Sequence, residues 1–101
     1  MEIRSVVTGD SCEVLVSGRV DGAGANELEI EMLKLIRSGP KTIYINLSGA
    51  TFLCSAGLRV LLQYWRQMKN SQRVLLATRP SPEVNAVLTA SGYGEALVER
   101  I

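Results

Sequence analysis

The first twenty residues alternate between apolar and polar side chains in two short runs, a pattern that predicts a β-hairpin. Residues 3–7 and 12–16 are rich in β-branched side chains, and the Gly-Asp-Ser sequence at residues 9–11 is typical of a tight turn. We therefore expect the chain to begin with two antiparallel strands. The glycine-rich residues 18–24 then predict a loop.

Two longer segments have apolar residues at helical spacing instead. The first segment follows the loop and stops at Gly39-Pro40, and the second stops at the polar residues 70–72. The apolar positions are Leu28, Met32, Leu35 and Ile36 in the first segment, and Leu58, Leu61, Leu62, Trp65 and Met68 in the second. We expect each stripe to pack against a sheet, which makes Trp65 a packing residue rather than a binding anchor.

The segments on either side of the second helix predict two more strands. Residues 42–47 alternate, so that Ile43, Ile45 and Leu47 share one face. Residues 48–54 then connect this strand to Ser55 at the start of the second helix. Residues 74–77 are uniformly apolar, which is typical of a short strand that is covered on both faces.

The C-terminal quarter predicts a short helix and a last strand. Ser81 followed by proline is typical of a helix start, and Gly92 of a helix end. The inward residues of this helix should be Val84, Val87 and Leu88. Residues 95–101 predict the last strand. The order ββαβαβαβ indicates an α/β fold in which helices cover a mixed β-sheet, with residues 1–101 forming a single domain.

Composition narrows the possible functions. The 101 residues carry a net charge of +1 with both signs interspersed, so the basic surface typical of proteins that bind nucleic acid or anionic membranes is missing. No apolar run approaches the ~20 residues that span a bilayer, and the N-terminus lacks a signal-peptide core. We therefore expect a cytoplasmic protein that does not insert into a membrane.

The sequence offers little for catalysis. It contains no histidine, which removes Ser-His-Asp and Cys-His nucleophiles and the common metal sites, so we expect neither enzyme activity nor a metal or other cofactor. Cys12 and Cys54 are expected to be reduced thiols. A small thiol enzyme built on Cys54 is an alternative, but this cysteine lacks a CxxC partner, and a buried inert thiol is the simpler interpretation.

Residues 45–62, INLSGATFLCSAGLRVLL, resemble the signature of STAS domains, which are the anti-sigma factor antagonists and their relatives. Residues 18–21, GRVD, followed by Leu28, are similar to a second landmark of the family. The resemblance covers nearly the whole chain. It implies the STAS fold, here without the family's usual additional C-terminal helix, and a function in binding a protein partner.

The resemblance gives Ser55 the central role. In the family, the serine at the start of the helix after the third strand is phosphorylated by the partner, an anti-sigma factor with serine kinase activity. The unmodified protein then binds the kinase and frees the sigma factor, and a serine phosphatase resets the phosphorylated form. The position of Ser55 is consistent with phosphorylation, because a phosphate at a helix N-terminus meets free backbone N–H groups and the positive end of the helix dipole. The alternative is that Ser55 is only an N-cap.

Five further residues are candidate partner-binding residues. Asp21 matches an acidic loop position of the family, although it is equally an ordinary turn or cap residue. Cys54 stands where the family most often has an aspartate before the serine. Ala56 and Gly57 leave the serine open to a kinase active site. Arg59 is placed to meet an acidic partner or a phosphate, unless it lies on a purely solvated helix face.

A second function stays open beside the leading one. STAS domains also serve as subunits that scaffold a membrane transporter, in which case the chain contacts a cytosolic component and is not phosphorylated. The leading prediction remains an anti-sigma factor antagonist that is switched off by phosphorylation of Ser55.

Overall fold

The computed structural model describes residues 1–97, apart from the side chains of residues 95 and 96. The elements are β1 (Glu2–Thr8), β2 (Ser11–Val20), α1 (Gly22–Ser38), β3 (Thr42–Leu53), α2 (Ser55–Asn70), β4 (Val74–Thr78), α3 (Pro82–Ala90) and α4 (Gly94–Leu97). The predicted alternation of strands and helices is confirmed from β1 to α3.

The four strands form one mixed sheet in the order β1-β2-β3-β4. Strand β1 pairs with β2 in the antiparallel sense, whereas β2–β3 and β3–β4 are parallel pairs. Ile43, Ile45 and Leu47 are fully buried, which confirms the predicted inner face of β3. Tyr44 and Asn46 alternate with them and are only half-buried, because the helices pack on the other side of the strand.

Strands β2 and β3 are both longer than their hydrophobic patterns predict. The third strand is expected to end at Leu47 but continues to Leu53, and the expected loop at residues 18–24 divides between β2 and α1. The two extensions pair with each other, with Gly18 opposite Ala50, across shifts in register. Gly49 permits this close approach, since a Cβ there would lie 2.9 Å from the Cβ of Ser17.

The inner face of α2 differs from the predicted stripe. Leu61 and Met68 are fully buried as expected, but Leu58, Leu62 and Trp65 are only half-buried. The remaining buried positions of the helix are Gly57, Val60 and Tyr64. The helix is therefore turned so that Tyr64 lies near Glu29 and Arg37 of the neighbouring helix α1. Leu58, Leu62 and Trp65 lie at the edge of the core.

Three shorter predictions also need correction. Strand β4 is covered on one face only, because Leu75 and Ala77 are buried while Val74 is exposed. In α3, Val84 and Leu88 are buried, but Val87 is only half-buried.

The third correction concerns the last predicted strand. Gly94–Leu97 form one helical turn, closed by a hydrogen bond of 3.0 Å from the N–H of Leu97 to the carbonyl oxygen of Tyr93. This turn brings Tyr93 and the fully buried Leu97 against the same core. Residues 98–101, and with them the prediction about an additional C-terminal helix, lie outside the described residues.

Candidate partner-binding site

The site lies where the parallel strands β2 and β3 end side by side. Val20 and Leu53 are paired in register, and each strand passes into a helix after a single capping residue. The N–H of Cys54 donates a hydrogen bond of 2.9 Å to the carbonyl oxygen of Val20, which ties the two ends together. The N-termini of α1 and α2 therefore lie next to each other at the carboxyl edge of the sheet, where α/β proteins commonly bind their ligands.

Cys54, not Ser55, is the N-cap of α2. Its backbone is extended, and its Sγ atom accepts a hydrogen bond of 3.4 Å from the N–H of Gly57. The interpretation of Ser55 as the N-cap is therefore wrong. Sulfur is a weak acceptor, so this cap holds the helix less firmly than a serine or aspartate oxygen would.

Ser55 is the first residue of α2, and its side chain is exposed. Within the described part of the chain, no group forms a hydrogen bond with its hydroxyl. Arg59 lies one helical turn further along and is also exposed. The geometry therefore presents a free hydroxyl and a guanidinium on the same side of the helix.

Ala56 and Gly57 differ in what they can offer a partner. Ala56 is half-buried, whereas Gly57 is buried. A Cβ on Gly57 would lie 2.8 Å from the ends of both the Val20 and Leu53 side chains. Gly57 therefore allows α2 to pack directly against the ends of β2 and β3, beneath the surface that a partner would contact.

Asp21 is the N-cap of α1, which confirms the capping interpretation. Its Oδ1 atom accepts a hydrogen bond of 2.9 Å from the N–H of Gly24, and this bond is the main reason why the pKa of the carboxyl is lowered. The side chain is exposed, so the carboxylate remains accessible from solvent. Its role in partner recognition stays a prediction.

Sequence reasoning missed a cluster of aromatic and basic side chains beside the outer surface of α2. Trp65 and Tyr93 meet edge to face with their ring centroids 6.1 Å apart. Arg66 donates a hydrogen bond of 3.2 Å to the Tyr93 hydroxyl, and Lys69 lies 5.1 Å from the centre of the Trp65 ring. The helical spacing of Trp65 and Arg66 gives no hint of this cluster, because Tyr93 comes from a distant segment.

The thiols occupy different environments. Cys12 is fully buried in the sheet, and burial raises the pKa of its thiol, with a smaller contribution from Glu31. Cys54 is half-buried, and neither cysteine is bonded to the other. Among the described side chains, no three acidic or thiol groups come together as metal ligands.

No helix within the described range has the length and apolar character needed to cross a membrane.

The family follows from the match of residues 3–99 to the family described as "Mlab, STAS domain". The chain belongs to the STAS domain family, as the signature at residues 45–62 predicts. It is also 31% identical over 78 residues to BtrV of Bordetella bronchiseptica, a protein named as an anti-sigma factor antagonist. That match covers 77% of this chain and 67% of BtrV.

Solved structures confirm the STAS fold. The anti-sigma factor antagonist SpoIIAA in its unphosphorylated form matches with a TM-score of 0.85 and 20% identity, over 99% of this chain and 89% of SpoIIAA. The phosphorylated form of SpoIIAA, from Bacillus, matches with a TM-score of 0.78 and 19% identity, over 99% of this chain and 92% of that one. A sulfate transporter family protein from Wolinella succinogenes matches with a TM-score of 0.75 and 21% identity, over 91% and 75% of the two chains.

Proposed function

We propose that this protein is a cytoplasmic anti-sigma factor antagonist that binds an anti-sigma factor with serine kinase activity and is released when that kinase phosphorylates Ser55. The observation that carries the proposal is the exposed Ser55 hydroxyl at the first position of α2, within the STAS signature. Membership of the STAS family and the similarity to BtrV support it. In this scheme Asp21, Cys54, Ala56, Gly57 and Arg59 border the surface that meets the partner.

The physical basis of the switch is the charge that a phosphate adds. A phosphoserine carries about −1.5 to −2 charges at neutral pH. At the first turn of a helix this charge is tolerated, because free backbone N–H groups and the helix dipole stabilise it. Against a closely packed partner the same charge must be desolvated or repelled. Phosphorylation should therefore weaken binding without unfolding the domain, and a serine phosphatase would restore the binding form.

The test combines capture of the partner with a phosphorylation assay. The tagged protein is recovered from its native cells with whatever binds it, and the complex is incubated with ATP before mass spectrometry of the Ser55 peptide. We expect an anti-sigma factor kinase in the complex, phosphate on Ser55, and an affinity about 5 to 150-fold lower for the phosphorylated form. Ser55→Ala should remain bound after ATP is added. An unmodified Ser55, with equal binding of all forms, would contradict the proposal.

A second candidate function is a STAS subunit that scaffolds a membrane transporter and is not phosphorylated. The structural similarity to the Wolinella succinogenes protein supports this second candidate function. The capture experiment separates the two functions, since permease or ATPase components would be recovered in place of a serine kinase.

A further inference from the structure

The charge of helix α2 differs from that of the rest of the chain. The helix contains three basic residues, Arg59, Arg66 and Lys69, and no acidic residue, whereas the whole chain has a net charge of only +1. All three basic side chains are exposed. Among the side chains that the structure describes, the ion pair joins Lys41 to Asp10, so the basic groups of α2 have no acidic partner among them.

These charges lie on one side of the helix together with Ser55. Ser55, Arg59, Leu62 and Arg66 follow one another at intervals of four, three and four residues, which places them in a single row. At 1.5 Å per residue, the row from Ser55 to Arg66 is about 16 Å long. Leu62 is half-buried, so the row combines positive charge with accessible apolar surface. We call this row the α2 outer face.

At the far end of the α2 outer face, Arg66 is in contact with an aromatic side chain. Arg66 lies 5.6 Å from the centre of the Tyr93 ring and is hydrogen-bonded to its hydroxyl, while Trp65 packs on the same ring. Arginine, tyrosine and tryptophan are the residues most enriched at the energetic centres of protein interfaces. Side chains that are already held in place lose less conformational freedom on binding.

We propose that the α2 outer face is the docking surface for an acidic protein surface, in which aspartate or glutamate side chains flank apolar ones. Charge complementarity identifies this occupant, because Arg59 and Arg66 have no acidic partner among the described side chains and flank Leu62. Nucleic acid fits less well, since two cations on either side of an apolar residue do not form a continuous phosphate track. The inference rests on the proposed function, because it specifies the chemistry of the partner at the same site.

Arg59 links this surface to the switch. In the unmodified protein its guanidinium is free to meet a carboxylate of the partner. A phosphate on Ser55 lies one turn N-terminal to Arg59, and an anion four residues before a cation is the favoured orientation for a pair within a helix. The phosphate therefore withdraws Arg59 from the partner as well as repelling the partner's carboxylates.

The first test maps the surface with a synthetic probe. A helical peptide with leucines flanked by glutamates is titrated into the isotopically labelled protein at low salt, and backbone amide shifts are followed by NMR. We expect the shifts to lie on the α2 outer face, and Arg59→Gln and Arg66→Gln each to weaken the apparent affinity several-fold. The matched control is Arg37→Gln, which removes an exposed arginine from α1 and should leave the affinity unchanged.

Three outcomes of this titration would overturn the inference. The shifts would spread over another surface, the same peptide with lysines in place of glutamates would bind equally well, or oligouridine RNA would occupy the α2 outer face more tightly than the peptide.

The second test isolates Arg59. Phosphoserine is installed at position 55 during translation, so no kinase is needed, and the phosphate is titrated by phosphorus NMR. In the protein with native Arg59 the second ionisation should occur at a lower pH than in Arg59→Gln, while Arg66→Gln should not differ from native. Identical titrations of native and Arg59→Gln protein would show that Arg59 has no role in the switch.

The two tests keep this inference separate from the proposed function. If the peptide maps to the α2 outer face but no kinase modifies Ser55 in the native cell, the docking surface stands and the phosphorylation switch fails. If Ser55 is phosphorylated but the peptide does not bind the α2 outer face, the phosphorylation switch stands and the proposal of a docking surface for acidic partners is wrong.

Discussion

The N-termini of α1 and α2 occupy equivalent places in the fold, yet they are capped by different atoms. In α1, a carboxylate oxygen of Asp21 accepts the N–H of Gly24 at 2.9 Å. In α2, a sulfur of Cys54 accepts the N–H of Gly57 at 3.4 Å. The first is a strong, charge-assisted cap, and the second is a weak one.

The two helix starts therefore differ in what stabilises them. Asp21 belongs to a helix whose first turn has a firm local anchor. The start of α2 depends more on packing, through Gly57 against Val20 and Leu53, than on its cap. The weaker cap leaves the amide groups near Ser55 without a strong side-chain acceptor, which suits the proposed phosphate on Ser55. Functional positions commonly depart from the most stable local choice.

The largest expected effect tests whether packing holds α2. Leu61 is fully buried, so Leu61→Ala should cost about 2 to 5 kcal/mol of unfolding free energy through lost contacts and a cavity. Leu62→Ala is the matched control, since Leu62 is only half-buried and its loss should cost clearly less. Urea denaturation of the three proteins measures both changes. Equal costs for the two leucines would mean that α2 is not oriented as described.

The orientation of α2 also shows why part of the fold escaped sequence reasoning. Apolar residues form two adjacent stripes on this helix, and periodicity cannot decide between Leu58 and Leu62 on one side and Val60 and Tyr64 on the other. Packing against α1 decides which of the two stripes is buried. By contrast, the inner face of β3 follows directly from strict alternation at Ile43, Ile45 and Leu47.

Non-local contacts also fix most of the candidate site. The signature at residues 45–62 locates Ser55 correctly at the start of α2, but it does not reveal that Cys54 is the cap. The extension of β3 through Ser48 and Gly49 depends on pairing with β2, more than thirty residues earlier in the chain. Such pairing overrides the local preference of glycine and serine for loops.

The second prediction compares the two caps directly. Asp21→Ala should lower the thermal midpoint more than Cys54→Ala does, because an oxygen cap with charge is lost in one case and a weak sulfur cap in the other. Differential scanning calorimetry of both variants at neutral pH, under reducing conditions, measures the difference. If Cys54→Ala is the more damaging change, the sulfur contributes more than a weak acceptor should.

The third prediction converts the weak cap into a strong one. Cys54→Asp should stabilise the protein by about 0.5 to 1 kcal/mol, since aspartate is among the best N-cap residues and its charge suits the helix dipole. It also restores the aspartate that STAS signatures most often have before the serine. If the kinase recognises that carboxylate, Ser55 should be phosphorylated faster in this variant. Cys54→Asn controls for capping without charge, and a faster reaction in both variants would assign the gain to capping alone.

The smallest effect is a dependence on pH that only the α1 cap should show. The hydrogen bond from Gly24 lowers the pKa of Asp21 in the folded protein, so its stabilising contribution is present above the pKa of the unfolded chain, which is about 3.9 for aspartate. That contribution is lost as the pH falls through the lower pKa of the folded state.

The variant Asp21→Asn cannot titrate at this position. The stability difference between native protein and Asp21→Asn should therefore be constant from pH 7 to about pH 5 and change only in more acidic solution. Urea denaturation at closely spaced pH values measures it, with Cys54→Asn as the control whose difference from native protein should not change over the same acidic range. A difference for Asp21→Asn that stays constant throughout would show that the carboxylate charge plays no part in the cap of α1.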